Sequence, residues 1–316
     1  MLKSQKNKNN INLYCPSCEN KAIAYIGRIP DANFFAGRVL KQSLAGGDLY
    51  RCNTCYLYFR WPRPSNEELN FLYRKGKADN WQYQPQNRGD WQIIASWLNS
   101  HQIKKTILDV GCADGGFLEY LRSDWNRYGI EINTTAAQKA KERGITIIAE
   151  DLDQLSQLSQ KFSVVVAMDM IEHTKDPQRF LQEMLSVTMP GGVVIIATGN
   201  SLSPSWRFMK SAYWYCAIPE HVSFINKYWC QNVSQNLKCP ILYFKKFSHA
   251  DEDNFFQFLS DSLKNILYKF MPGIFSRLRT AGLGGIDIKR YPELKYYPPS
   301  WRSAKDHFIV IFQKSL

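Results

Sequence analysis

Thr106-Ile-Leu-Asp-Val-Gly-Cys-Ala-Asp-Gly-Gly-Phe117 decides the fold, because it reads as a buried strand, a glycine turn and a helix start in one piece. Ile107, Leu108 and Val110 form the short apolar run of a strand covered on both faces. Gly111, Gly115 and Gly116 let the backbone turn tightly and approach a ligand where a Cβ would collide. This is the build of a nucleotide-type cofactor site. The nicotinamide and flavin fingerprint G-x-G-x-x-G, however, needs glycine where this chain has Ala113, so the loop fits that fingerprint poorly.

Working outward, Tyr128-Gly-Ile-Glu-Ile132 reads as a second strand ending in a carboxylate. Glu131 is placed there to accept hydrogen bonds from both hydroxyls of a ribose, and its charge would repel a 2′-phosphate. Further strands follow: Thr146 to Ala149 ahead of Asp151, Phe162 to Met168 ahead of Asp169, and Gly192 to Ala197 after a Pro190-Gly191 turn. Helical patterns lie between them, and this alternation predicts an α/β, doubly wound parallel sheet. Asn133 or Thr134 is expected to cap a helix that Gly144 closes. Asp176 followed by Pro177 is expected to start another.

Four ordered features carry a resemblance to the class I S-adenosylmethionine-dependent methyltransferases: the glycine loop, Glu131, Asp151, and the segment from Met168 to Pro177. The similarity runs from about Thr106 to Thr198 and implies a seven-stranded Rossmann-like sheet binding S-adenosyl-L-methionine. On that resemblance Asp109 and Gly111 line the methionine end of the cofactor and Gly115 keeps the loop close to it. Glu131 holds the ribose, Asp151 and Leu152 border the adenine, and the backbone at Met168 faces the amino group. Taken singly, Asp109 and Asp151 could equally be turn or cap residues.

Four of the eight cysteines stand as Cys15-Pro-Ser-Cys18 and Cys52-Asn-Thr-Cys55, the spacing of two zinc-ribbon knuckles. Structural Zn2+ is the expected ligand; two disulfides or a redox pair are the alternatives. No secretory signal pattern precedes the first pair, the first ten residues being polar and lysine-rich, expected to be disordered. Cys112, Cys216, Cys230 and Cys239 show no pairing pattern and read as reduced, partly buried thiols of a cytoplasmic protein. A zinc module ahead of such a core resembles bacterial methyltransferases of sugar, polysaccharide and natural-product tailoring. That group usually has glycine after the fourth cysteine, where this chain has Tyr56. The expected domains are a ribbon over 1–65, a helical connector over 66–104, and a methyltransferase domain over 105–316 with a helical insertion at about 251–305.

Charge divides by region. Residues 1–100 carry 14 Lys and Arg against 7 Asp and Glu, residues 101–200 carry 10 against 13, and residues 201–316 carry 16 against 8. Basic flanks around an acidic core favour a small-molecule or glycan acceptor that is anionic; a solvated basic surface is the plainer reading. No run of eighteen apolar residues suggests a membrane span.

In an open α/β sheet the ligand lies beyond the carboxyl ends of the strands, which brings Glu172-His173 and His221 forward as catalytic candidates. Either histidine could take a proton from an acceptor hydroxyl, and either could be structural. Asp169, Glu172 and His173 also resemble the acid and histidine cluster with which ubiquinone-pathway O-methyltransferases hold a divalent ion. The aromatic and basic loop from Trp206 to Tyr215 reads as lid plus pocket wall. Phe255, Phe258, Leu259, Leu263, Ile266, Leu267 and Phe270 fall at helical spacing, behind acids at 251–253, and are expected to pack on the domain or close the pocket; a membrane-surface or dimer face is the alternative. An aromatic, proline-rich loop is expected over 292–301. The sugar or glycan methyltransferase reading leads, with an RNA methyltransferase and an inert zinc-stapled binding module as alternatives.

Overall fold

The computed structural model describes residues 13–36, 38–74, 88–249, 255–283, 294–301 and 303–316. The polar first ten residues, the acids at 251–253 and part of both the connector and the proline-rich loop lie outside them.

Seven strands form the central sheet: β6 (Thr106–Val110), β7 (Asn126–Ile130), β8 (Thr146–Ala149), β9 (Phe162–Met168), β10 (Thr188–Gly199), β12 (Ile241–Phe247) and β13 (His307–Gln313). Their order is β12-β13-β10-β9-β6-β7-β8. β6 to β10 run parallel, while β13 is antiparallel to both its neighbours. β9 and β13 are almost continuously buried because helices cover both faces, which explains their unbroken apolar runs. After β6 the chain winds one way to β7 and β8, then returns to β9 on the other side. The crevice of a doubly wound sheet therefore opens beyond β6 and β9.

Local signals act as expected. Asn133 Oδ1 accepts from the Ala136 amide at the start of α4 (Thr134–Glu142), and Gly144 leaves that helix at φ +75°. Asp176 caps α5 (Pro177–Val187) by accepting from the Gln178 and Arg179 amides, with Pro177 in the first turn.

The cysteine-rich end forms β1 (Ile23–Arg28), β4 (Asp48–Cys52) and β5 (Tyr58–Trp61), with a hairpin of β2 (Ala32–Phe35) and β3 (Arg38–Leu44) between β1 and β4. The expected boundary near residue 65 does not separate it from the core. The fourth strand of its sheet is β11 (Ser223–Phe224), which belongs to the core and pairs antiparallel with β5. Arg60, nearly fully buried, donates from Nη2 to the carbonyls of Cys216 (2.6 Å) and Ile218 (2.9 Å). Trp229, on α8 (Lys227–Asn236), packs in one cluster with Cys15, Cys52 and Cys55 and donates from Nε1 to Ser17 Oγ at 3.0 Å. Ribbon and core share one hydrophobic interior.

The connector supplies α1 (Asn66–Arg74) and α2 (Gly89–Asn99), and the insertion between β12 and β13 supplies α9 (Phe255–Phe270) and α10 (Pro272–Thr280). The apolar stripe of α9 packs on the domain only in part, through Phe258 against Trp301 and Phe270 against Phe208. Phe255, Leu263 and Phe270 are exposed, while Asp261 and Asn265 face inward; Asp261 accepts from Ser303 Oγ at 2.8 Å. The helix docks through these ring contacts and through hydrogen bonds, so most of its apolar residues are left on the outer face. Among the described residues no helix is long and apolar enough to cross a membrane.

Candidate active site

The loop after β6 turns through three left-handed residues, Gly111 (φ +83°), Ala113 (+48°) and Gly115 (+79°). Gly111 has no room for a side chain: a Cβ would stand 2.4 Å from Met170 Sδ. Gly115 has a different task from the one expected. A Cβ there would meet Ile145 at 2.9 Å and Ala140 at 3.2 Å, so this glycine admits α4 against the loop and does not line the cavity beside it.

That cavity, about 430 Å³, opens at the switch point and is lined by Asp109, Gly111, Glu131, Asp151, Leu152 and Met168. Glu131 is buried, with its two oxygens accepting the amides of Ala113 (2.9 Å) and Asn133 (2.8 Å). Burial raises its pKa, and the hydrogen bonds from the Asn133 and Ala113 amides only partly offset this. Asp109 is 2 % exposed and its Oδ1 has no hydrogen-bond partner among the described residues. Burial, then the nearby charge of Glu131, pushes its pKa up to about 8. A buried carboxylate facing a cavity with an unused acceptor suits a cationic, hydrogen-bonding ligand. Asp151 caps the short 3₁₀ turn Leu152–Gln157 and lies 3.8 Å from the guanidinium of Arg74.

The far end of the same cavity is built by Ala36, Leu69, Tyr73, Arg88, Asp169, His173 and Glu220, so the ribbon hairpin and α1 contribute directly. His173 Nδ1 lies 2.6 Å from Tyr73 Oη and 3.2 Å from the Glu220 carbonyl, and burial lowers its pKa. Glu220 accepts the Ala36 amide with Oε1, while its buried Oε2 has no partner among the described residues. Asp169 sits at φ +50° and is bonded to Arg88 Nη2 at 3.0 Å. Burial would raise its pKa; the guanidinium of Arg88, with His249 and His307 behind it, holds it well below the usual carboxylate range.

The three catalytic candidates therefore separate. Only His173 lines the cavity. Glu172 is turned away and accepts from Thr198 Oγ1 (2.9 Å) and from Tyr215 Oη. Burial raises its pKa to about 7. His221 lies behind His173, ring centroids 4.8 Å apart, with Nδ1 2.9 Å from the Tyr215 carbonyl. Burial holds it neutral, well below the ordinary histidine range. The expected ion-holding set Asp169, Glu172 and His173 is likewise split. Donor atoms of Glu172, His173 and His221 lie within 4.8 Å of one another, whereas Asp169 gathers with His249 and His307. The backbone reverses at Asp169, sending its carboxylate to Arg88 while the next turn buries Glu172. Arg88 and Glu220 were not singled out as site residues from the sequence, which has no local pattern that marks them.

The four ribbon cysteines converge, all Sγ atoms lying within 4.8 Å. Cys15 and Cys55 are 3.5 Å apart and Cys18 and Cys52 3.6 Å, close to the ~3.8 Å edge of a tetrahedron with ~2.3 Å metal–sulfur bonds. All eight cysteines are free of disulfides. The Thr54 amide points at Cys52 Sγ (3.3 Å), as knuckle amides do toward thiolates. Glu19 (φ +57°) and Tyr56 (+64°), each following the second cysteine of its pair, are left-handed. That conformation is why glycine suits the position; Tyr56 adopts it and keeps the knuckle geometry.

Sheet order, loop and paired acids define a Rossmann-like domain with a nucleotide-type cofactor crevice. A family model described as a methyltransferase domain matches residues 63–232, just over half of the chain, and the chain belongs to that family. Ubiquinone biosynthesis O-methyltransferases of Paraburkholderia xenovorans and Actinobacillus pleuropneumoniae are 29% and 33% identical to it over 126 and 108 residues. These matches cover 37% and 30% of this chain, and 54% and 46% of the relatives, so the chain spans about half the length of the curated relatives it matches. A chain from the solved complex of the Haloferax volcanii Trm112 methyltransferase activator is similar in fold, with a TM-score of 0.50 and 13% identity over 80% of this chain and 100% of its own.

Proposed function

We propose that this protein binds S-adenosyl-L-methionine and methylates a small, anionic acceptor of the sugar or glycan-precursor type. The observation that carries the reading is the orphaned, buried Oδ1 of Asp109 at one end of a cavity whose other acid, Glu131, is fixed by two backbone amides. Asp109 and Gly111 would hold the methionine end, Glu131 the ribose, and Asp151 with Leu152 the adenine edge, near the Met168 backbone. The cofactor supplies a methyl on a sulfonium, and its transfer needs alignment more than covalent help.

What the chain's own residues do follows from their surroundings. Tyr73 and the Glu220 carbonyl fix Nδ1 of His173, which leaves Nε2 as the ring nitrogen able to take a proton from an acceptor hydroxyl. Its lowered pKa keeps it neutral at pH 7. Lys175, which lines the same cavity, supplies positive charge for an anionic acceptor, whereas Arg88 is already paired with Asp90 and Asp169. We read the four-cysteine cluster as a structural zinc site: it is closed, thiolate-only and packed into the interior.

Isothermal titration with S-adenosylhomocysteine tests the cofactor assignment: one micromolar site per chain is expected. No binding by folded protein refutes it. Methyl transfer from labelled cofactor to nucleotide-linked sugars and sugar phosphates, against neutral sugars, then tests the acceptor class.

A further inference from the structure

A second cavity, about 520 Å³, lies where the ribbon meets the core and shares no lining residue with the first. Six elements build it. Arg51 comes from β4, Lys246 from β12, Lys227 from the start of α8, Arg207 from α6 (Pro204–Met209), and Asn200 from the exit of β10; Tyr58 completes the wall. Four cations line it and no carboxylate does. Among the described residues none of the four makes an ion pair, and the buried Nε of Arg51 has no partner.

Asn200 shows what is missing. It is 2 % exposed, and its Oδ1 accepts from the Leu202 amide at 3.1 Å, which fixes the orientation of the side-chain amide. Nδ2 is thereby left as a buried donor without an acceptor among the described residues. An unfilled buried donor is destabilising. Four cations lining one cavity also give it a positive potential that an anion relieves. Both demands are met by oxygen atoms carrying several negative charges. One phosphate monoester carries about two charges and a diphosphate three or more, so four cations match the diphosphate better.

We propose that this junction cavity binds the diphosphate of a phosphorylated ligand, at a site separate from the cofactor crevice. It joins cations from both sides of the ribbon–core seam, so ligand binding also ties the ribbon to the sheet.

The test uses the full chain with its metal, titrated with sodium pyrophosphate and, at matched ionic strength, with sodium sulfate. Pyrophosphate is expected to bind once per chain, at least tenfold tighter than sulfate, without displacing S-adenosylhomocysteine. The surface double variant R207Q/K246Q should weaken pyrophosphate at least tenfold and leave S-adenosylhomocysteine affinity unchanged. N200D, which keeps the acceptor for the Leu202 amide but replaces the donor with a charged oxygen, should weaken it comparably. Three results overturn the proposal: no pyrophosphate binding at millimolar concentration, equal binding by the double variant, or competition with S-adenosylhomocysteine. A single-stranded RNA that binds through the same four cations while pyrophosphate does not would overturn it in favour of a nucleic-acid surface. Loss of S-adenosylhomocysteine binding in the parent protein would refute the cofactor reading alone.

Discussion

Asp109→Asn should make the protein more stable and less able to bind its cofactor, with a pH signature that identifies the cause. The carboxyl is buried, its pKa is raised from 3.8 to about 8, and its Oδ1 lacks a partner. Between those two values the unfolded chain has released the proton while the native protein keeps it. The native state thus binds more protons, and stability falls as pH rises from about 4 to 8. Each unit is worth ~1.4 kcal/mol, so the three units from pH 5 to pH 8 amount to about 4 kcal/mol, and relaxation around a buried charge reduces this to about 2–4 kcal/mol. The neutral amide carries no such penalty. The variant's amide still leaves one polar atom unpaired, so the measure is the change with pH rather than the absolute gain. At roughly 2 °C per kcal/mol for a chain of this size, the melting-point difference between variant and parent should grow by about 4–8 °C between pH 5 and pH 8. The same substitution should weaken S-adenosylhomocysteine at least tenfold, because the acid can give up its proton beside the ligand's ammonium and the amide cannot. Paired melting curves at the two pH values decide the matter: a difference that stays constant refutes the account of Asp109 as an unpaired buried carboxyl.

Glu131→Ala removes the acceptor for two loop amides and for a ribose; at ~1.5–3 kcal/mol per charge-assisted bond, S-adenosylhomocysteine affinity should fall about 10- to 100-fold in calorimetry. Unchanged affinity would place the ribose elsewhere. Chelating the ribbon metal should lower the melting temperature by roughly 10 °C or more, in one transition rather than two, because Cys15, Cys52 and Cys55 pack against Trp229 of the core. Metal analysis of the purified protein should show one zinc per chain. His173→Gln should reduce kcat/KM about 100-fold once an acceptor is in hand, and the parent's acid limb should lie below pH 6.5, since burial lowers the pKa of the base. His221→Gln should cost about 1–3 kcal/mol of stability, read by denaturant titration, and leave S-adenosylhomocysteine affinity untouched.

Much of the core was legible because its signals are local. β6, its glycine turn and the acid at the end of β7 follow one another closely in the chain, and their strand periods and caps need only near neighbours. The same holds for Asn133, Gly144, Asp176 and the two cysteine pairs. Long-range pairings left no such trace. Nothing around Ser223-Phe224 marks a two-residue strand that completes a sheet begun at Ile23, and Arg88 lies in a polar stretch with no period. Both histidine candidates were visible, but which of them faces the cavity depends on Tyr215 and Tyr73, far apart in the chain. The stripe on α9 misled because amphipathic spacing reports that a helix has two faces, not which face is covered; the bonds of Asp261 with Ser303 and of Asn265 with the Ser300 carbonyl settled that here.

The seam between ribbon and core gives the metal cluster a role beyond holding its own knuckles. Four contacts cross from the cysteine-rich segment and the helix after it toward the strand-exit end of the cavity. β5 pairs with β11, Arg60 ties down the carbonyls of Cys216 and Ile218, the Ala36 amide reaches Glu220, and Tyr73 reaches His173. Glu220 and His221 sit between Ile218 and Ser223, so the segment that carries them is clamped at both ends by ribbon residues. A carboxylate buried without a full set of partners, as Glu220 is, stays in place only if its backbone cannot move away to water. The clamp supplies that constraint, and the converging sulfurs fix β4 to the first knuckle and so hold the clamp. The cluster is about stiffness at a distance: it keeps a wall of the cavity closed around polar groups that would otherwise open it.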